Sequence, residues 1–451
     1  MIKIFIPNNN IEERKYIINI LLNEFLGLDY EINIGSKDYE IVLENNKKLI
    51  FKDAFFNKFS IDLEYLNIEN ISDNVKFISN VFLEEENIPV IYGDDTLDIT
   101  GKSITCGIDI FASSFFMLTR WEEYVNKIRD AHNRFPVTES LAFKNNFLDR
   151  PIVNEYIEML KNMLVSLDNL LIFKEWKYNL LLTHDIDHIS AWDTKKKFFL
   201  HLARDIVRRK SIKGFFRSIK EYTQLKRKNR CDPYDTFDYI MNLSEKNNLV
   251  SHFFFMAKGL NNKYDNNYSS NSKQIKEIIK KIKERGHNIG IHPTYDTFNN
   301  SIQLKKEIDE LEKNLNTNII YGRQHFLRFE TPLTWKNWDE HNMQWESSLN
   351  YSIDGFRCGV CYEYSVFDFL SRKKLNLKEK PLIFMDANIV ELKDTTPLSM
   401  LKHIEKYKTL VKKYNGEFVL LWHNSSFNTL KWRKYQNVYE HIITTEKKEH
   451  Q

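Results

Sequence analysis

The chain has 451 residues, is 42% hydrophobic and 14% aromatic, and carries a formal net charge of only +3. That composition describes a globular protein and argues against a disordered chain or a dedicated nucleic-acid binder. The length is enough for about two or three domains. The first residues carry no signal-peptide apolar region, and no apolar run approaches the roughly 18 residues of a membrane span, so the expectation is a soluble, cytoplasmic protein. Four cysteines give no disulfide framework. Cys358-Gly359-Val360-Cys361 lacks a second pair to complete a structural zinc site, and is expected to supply small buried residues.

In chain order, residues 1–7 and 39–43 have the pattern of strands, and 11–26 that of a helix. Residues 111–124 predict an aromatic-rich core helix. A short apolar run at 180–182 predicts a buried strand, and strand and helix patterns alternate after it. Strands are expected at 250–256, 288–292, 382–385 and 418–422, and helices at 272–285, ending at Gly286, and at 301–314. This alternation predicts an α/β architecture. The expected division is an α/β accessory domain over 1–165 and a distorted, incomplete (β/α) barrel over 166–451. A basic helical insertion at 195–230 holds fourteen Lys/Arg against two acids, a local net of +12. Such a segment fits an anionic membrane surface, an anionic substrate, or a merely solvated insertion.

The chemistry gathers at strand ends. Leu180-Leu181-Leu182-Thr183-His184-Asp185-Ile186-Asp187-His188 runs from an apolar strand into two carboxylates flanked by imidazoles. Two close carboxylates repel, and a metal ion or a shared proton relieves the cost. Gly286-His287-Asn288-Ile289-Gly290-Ile291-His292 ends a strand in His292, and Asp296 follows across a turn. Residues 322–332 offer Arg323, His325 and Arg328, and Phe418-Val419-Leu420-Leu421-Trp422-His423 ends a further strand in His. Each cluster is weak alone. Together they are a normal ligand set for Zn²⁺ or a similar divalent ion, beside groups able to move protons.

With these motifs in hand, residues of about 175–430 resemble the polysaccharide deacetylases of the NodB-homology superfamily (carbohydrate esterase family 4). Thr183–Asp187 resembles the first motif, Gly286–Asp296 the second, Arg328 with Pro332 the Arg-bearing third, and Leu420–His423 the last. Residues 109–115, 120–124 and 134–136 resemble an extra domain that precedes some bacterial surface-polysaccharide deacetylases. The resemblance implies Asp185 as base, His423 as acid and Arg328 as the group orienting Asp185. It implies a divalent metal, Zn²⁺ first, held by Asp187 and His292. Two features depart from the family pattern: Asp-x-Asp replaces Asp-Asp, and Asp296 stands where a second His is usual. The third ligand is therefore open among Asp296, His188, His325 and a water, in that order.

The implied activity is removal of an N-acyl group, acetyl first, from an amino sugar of a surface-polysaccharide precursor. The implied partner is a carbohydrate, either a nucleotide sugar or a lipid-linked precursor, with no nucleic acid. Peripheral contact with an anionic membrane would run through 195–230. One alternative is hydrolysis of another C–N bond, as in a formamide or cyclic amide. The other is a non-catalytic carbohydrate-binding protein on the same scaffold.

Overall fold

The computed structural model describes residues 1–191, 195–207, 212–226, 232–259, 264–265, 268–390, 395–429 and 431–449. The N-terminal region supplies β1 (Ile2–Ile6), β2 (Tyr30–Ile34), β3 (Tyr39–Val42), β4 (Lys48–Phe51), β5 (Lys76–Ile78), β6 (Ile88–Val90), β7 (Gly93–Ile99) and β8 (Ser103–Ile108). Six of these form a mixed sheet in the order β2-β1-β3-β4-β8-β7, and β5 pairs with β6. The later region supplies β9 (Asn179–Ile186), β10 (Ser251–Phe255), β11 (Asn288–Ile291), β12 (Tyr321–Gly322), β13 (Trp345–Glu346), β14 (Tyr364–Asp368), β15 (Lys373–Glu379), β16 (Phe384–Met385) and β17 (Glu417–Leu421). These form one sheet in the order β14-β15-β13-β12-β11-β10-β9-β17-β16. Every neighbouring pair in it is parallel except β14 with β15.

This sheet curls into an open half-barrel. β12 and β17 stand four places apart in the row, about 19 Å on a flat sheet at ~4.8 Å per strand. Yet His325 and His423, just beyond those strands, bring their Nε2 atoms within 3.6 and 3.7 Å of the single Asp187 carboxylate. Strand alternation separates the two faces. On β9, Leu180, Leu182 and Ile186 join the main core, which also takes in buried helix side chains such as Ile275 and Ile279. Leu181 instead joins Leu327, Leu382, Val419 and Leu421 in a separate small core, with Trp345 and Met385 against it. That second cluster fills the concave side below the site.

The expected strands and helices lie within a residue or two of the observed ones, except that β9 runs four residues past the apolar run at 180–182, to Ile186. The helix Lys273–Glu284 starts where the Ser272 side chain accepts from Ile275 N, and Gly286 beyond its end adopts φ +76°. Two expected helices are interrupted. Residues 11–26 form an α-helix, Ile11–Ile18, that passes into a π-helix, Asn19–Phe25. Residues 111–124 divide into Ile110–Thr119 and Trp121–Val125 about Arg120, whose φ is +55°. The break lets the buried Arg120 guanidinium donate to Glu123 (2.9 Å), Glu122 and Tyr351 Oη (2.9 Å). Arg357 Nε donates to Glu123 Oε1 as well (3.0 Å), so a buried ionic network ties the N-terminal region to the curled sheet. Cys358 and Cys361 are buried and free. Of the basic segment, Lys195–Val207 and Ile212–Lys226 are helical, and 208–211 and 227–230 lie outside the described residues.

Candidate active site

A strand turns alternate side chains to one face, so an Asp-x-Asp at a strand end aims both carboxylates the same way. β9 does this with Asp185 and Asp187, above Leu181 and Thr183 on the concave side. β11, β12 and β17 deliver His292, Arg323 and His423 by the same rule, each just beyond its strand's C-terminal end. Parallel α/β sheets commonly carry their chemistry at this edge. Asp185, Asp187, His292 and His423 line a cavity of about 450 Å³ with His325, Phe326, Met385 and Asn388, and Arg323 stands behind Asp185. His132 and Arg134 of the N-terminal region form another part of its wall.

Asp187, His292 and His325 form a group that could hold a metal ion, a candidate ligand set. One donor atom from each lies within 4.8 Å of the others. Asp187 Oδ1 is 3.2 Å from His292 Nε2 and 3.6 Å from His325 Nε2, and this buried oxygen has no hydrogen-bond partner among the described residues. The other nitrogen of each ring faces an oxygen, and of the two only that of His292 makes a hydrogen bond. His292 Nδ1 lies 2.7 Å from the Arg323 carbonyl, and as the donor there it leaves the Nε2 lone pair aimed at Asp187. His325 Nδ1 faces Asp265 Oδ1 at 3.4 Å. One carboxylate and two imidazoles suit Zn²⁺ and related divalent ions. The electrostatics agree. Burial alone would raise the pKa of Asp187, but His292, His325 and His423 outweigh it and hold the carboxyl well below the usual range. Burial would lower His292, but Asp185 and Asp187 raise it. For His325 burial prevails and its pKa is lowered.

Asp185 and His423, the residues expected to move protons, stand beside this set. Asp185 is buried; its Oδ1 accepts from Arg323 Nη1 at 2.9 Å, and its Oδ2 is 3.8 Å from His292 Nδ1. Across the cavity, His423 Nδ1 is 2.7 Å from Asp386 Oδ1, and the His423 backbone N–H donates to Asp386 Oδ2 at 3.0 Å. Burial would lower the His423 pKa, but Asp386 first, then Asp187 and Asp185, raise it to about 10.

Two expected site residues stand elsewhere. Arg328 does not reach Asp185. It lies between the Tyr295 and Phe298 rings (3.9 Å to each centroid), donates to the His132 and Tyr295 carbonyls, and pairs with Asp296 at 3.1 Å. The guanidinium on Asp185 is Arg323. Arg323 sits one residue beyond β12 on the inward side, whereas Arg328 comes after the turn His325–Leu327. Asp296 is also outside the ligand set: its side chain is 67% exposed and held by Arg328. His188 is not in the set either, and its ring lies over Tyr234. Of the three residues that are candidates for the third ligand, His325 is the one whose ring nitrogen approaches the Asp187 carboxylate.

Arg323, Asp386, Asp265, His132 and Arg134 carry no site role in the sequence analysis, although Arg323 stands in one of its polar clusters. A strand-end signal existed for the first two, since Asp386 follows directly on β16 as His423 follows on β17. The others depend on loops meeting in space, and no spacing announces that.

Arg323 gives a sharp prediction. It is fully buried and donates to Ser347 O (2.7 Å), Thr183 Oγ1 (2.9 Å), Ser347 Oγ (3.0 Å) and Asp185. Removing one partner of a buried ion pair typically costs about 3–5 kcal/mol. Arg323→Ala is therefore expected to lower the urea midpoint strongly. Arg323→Lys should keep the charge but lose the fork, and with it most turnover. Arg328→Lys should be milder in both assays. The reverse ranking would return the orienting role to Arg328.

Residues 2–169 match the model of a family of unknown function (DUF7033). No curated protein matches the chain. Among solved structures, a Mycobacterium smegmatis protein assigned as a polysaccharide deacetylase overlaps at 13% identity and a TM-score of 0.40, covering 60% of this chain and 84% of its own. A Bacillus anthracis pseudoenzyme of the CE4 family overlaps at 12% identity and 0.31, covering 60% and 62%. The Bc1960 peptidoglycan N-acetylglucosamine deacetylase overlaps at 14% and 0.31, covering 61% and 84%. Similarity at this level leaves the chemistry to be argued from the residues themselves.

Proposed function

We propose that the chain is a metal-dependent deacylase that removes an N-acyl group, acetyl first, from an amino sugar of a surface-polysaccharide precursor. The observation that carries this is the convergence of four strand ends on one cavity. A base candidate (Asp185), a three-residue ligand set and an acid candidate (His423) meet there within contact distances. The first, second and last of the motifs that resemble the deacetylases contribute Asp185, Asp187, His292 and His423 to this cavity, and the Arg-bearing third does not reach it.

Amide hydrolysis needs an activated water, a polarised carbonyl and a proton for the departing amine. Asp187, His292 and His325 would hold the divalent ion, Zn²⁺ in our reading, which when bound acidifies water and polarises the carbonyl. Asp185 removes the proton from the attacking water, with Arg323 fixing the direction of its carboxylate. His423 delivers a proton to the leaving nitrogen, and Asp386 holds its ring and favours the charged form. His132, Arg134 and Phe326 face the substrate as part of the cavity wall. The volume, about 450 Å³, is in the ordinary range for a small-ligand site and suits one sugar unit with its acyl group.

The test is acetate release by the Zn²⁺-loaded protein from a panel of N-acetylated amino sugars: free, nucleotide-linked and lipid-diphosphate-linked. Activity on at least one, abolished in Asp185→Asn, is the expected result. No acetate from any of them, in a protein that binds the sugars at wild-type and Asp185→Asn sites alike, would make this a binding protein. Release of formate or ring-opening of a cyclic amide would shift the reading to another C–N bond.

A further inference from the structure

The helices Lys195–Val207 and Ile212–Lys226 carry more apolar surface than their own pairing uses. Phe198 and Leu202 pack with Phe215, Ile219 and Tyr222 in a small core of their own, and Phe198 stacks on Tyr222 at 3.8 Å. A second set points outward: Phe199 (64% exposed), Leu200 (52%), Ile206 (51%), Val207 (75%), Ile212 (73%) and Phe216 (65%). Six of the 22 exposed large apolar side chains among the described residues thus fall in this short stretch. Phe199 and Ile206 are seven residues apart, and Ile212 and Phe216 four, so each pair shares a helix face. Exposed apolar side chains concentrated in one short stretch, rather than scattered singly, fit an interaction site.

We infer that this hairpin docks on an anionic membrane surface. The choice of occupant rests on charge. Residues 195–230 carry a net +12. That charge repels a second copy of the same hairpin, which an apolar face alone would have invited. A nucleic acid would answer the charge and leave the apolar faces wet. An anionic bilayer answers both, since basic residues meet lipid headgroups while Phe, Leu and Ile enter the interface. Docking needs no spanning helix, and no described helix is long and apolar enough to cross a membrane.

The position gives docking a use. The hairpin follows β9 directly, eight residues after Asp187, and its two feet are joined where Asp232 accepts from Ser190 Oγ (2.6 Å) and Ala191 N (2.8 Å). A membrane-bound hairpin would hold the site's edge of the sheet close to the lipid. Under the proposed function this favours a lipid-linked amino sugar over a nucleotide sugar. Only that last step rests on the proposed chemistry, and the binding itself does not.

The experiment is co-sedimentation of the full chain with vesicles of phosphatidylcholine, with and without phosphatidylglycerol, at low and high salt. Wild type is expected to bind the anionic vesicles and weaken with salt. A variant with Phe199, Ile206, Val207, Ile212 and Phe216 all changed to Ser is expected to bind about tenfold or more weakly at low salt. These side chains are exposed, so its circular dichroism and thermal midpoint should match wild type. Equal binding by this variant and wild type would overturn the inference, because charge alone would then be the contact. A wild-type dimer that the variant dissolves would overturn it in favour of a second copy. Failure of acetate release would leave the vesicle result standing, which keeps the two readings separable.

Discussion

His325→Ala is expected to lose the bound metal together with nearly all turnover, while Asp296→Ala keeps both. The two variants decide the third ligand. His325 Nε2 lies 3.6 Å from Asp187 Oδ1, and Asp187, His292 and His325 converge within 4.8 Å. Asp296 is spent on Arg328 at the surface. Ligand binding to the folded state alone stabilises it by RT ln(1 + [L]/Kd), about 2.7 kcal/mol at a hundredfold excess over Kd. Zn²⁺ should therefore raise the thermal midpoint of wild type and of Asp296→Ala, and fail to do so for His325→Ala. Metal analysis of the dialysed proteins gives the same ranking by an independent route. Stoichiometric metal in His325→Ala with none in Asp296→Ala would reverse the assignment.

The same site predicts the pH response of the metal-free protein. Asp187 has a depressed pKa, so its contribution to stability is present above the ordinary carboxylate range and is lost as pH falls through the depressed value. His292 has a raised pKa, so its contribution is complete below about 6.5, the unfolded value, and is lost as pH rises through the raised one. A metal must displace the His292 proton. Apparent metal affinity is thus expected to rise with pH until that ring is neutral.

How far the sequence discloses this arrangement depends on the element. β9 and β17 hold apolar runs, Leu180–Leu182 and Phe418–Leu421, that lead into polar residues, and they are legible because burial on both faces leaves no other pattern. The strand register then makes Asp185, Asp187 and His423 legible too. β12 and β13 are two residues each, too short for any period, and only their neighbours in the sheet define them. The site partners tied to that part of the sheet were therefore hard to assign. Arg323 and Arg328 lie five residues apart in one loop-rich segment, and only the inward side of β12 distinguishes them. The wall at His132 and Arg134 is further removed. It comes from a segment nearly 200 residues from Phe326, whose carbonyl accepts from Arg134 Nη1 at 3.1 Å, and no local signal carries a contact of that range. The break at Arg120 was hidden for a different reason. Its driving force is a buried network with Tyr351 and Arg357, whereas the local sequence favours continuous helix.

Asp386→Asn and His423→Ala are expected to separate the proton donor from the residue that supports it. His423 reaches the cavity with its Nε2 3.7 Å from Asp187 Oδ2 and its Nδ1 2.7 Å from Asp386 Oδ1. Its pKa, raised to about 10 against the effect of burial, keeps the ring charged at neutral pH and ready to give up a proton. His423→Ala removes the donor, and a general acid typically contributes about 10²–10⁴-fold, so kcat should fall by that much at every pH. Asp386→Asn leaves the ring in place but withdraws its largest stabilising charge. Its kcat should stay near wild type on the acid side and fall at alkaline pH, with the alkaline limb of the rate profile displaced toward neutrality. The stability consequence has a defined sign. A raised pKa contributes stability that is complete below about 6.5 and is lost as pH rises through about 10. Wild type should lose that increment between pH 6 and pH 10, and Asp386→Asn should have less of it to lose. A merely structural Asp386 would lower rate and stability evenly across pH without moving the limb. An unmoved limb in Asp386→Asn, or a loss below about threefold in His423→Ala, would remove His423 from the role of acid.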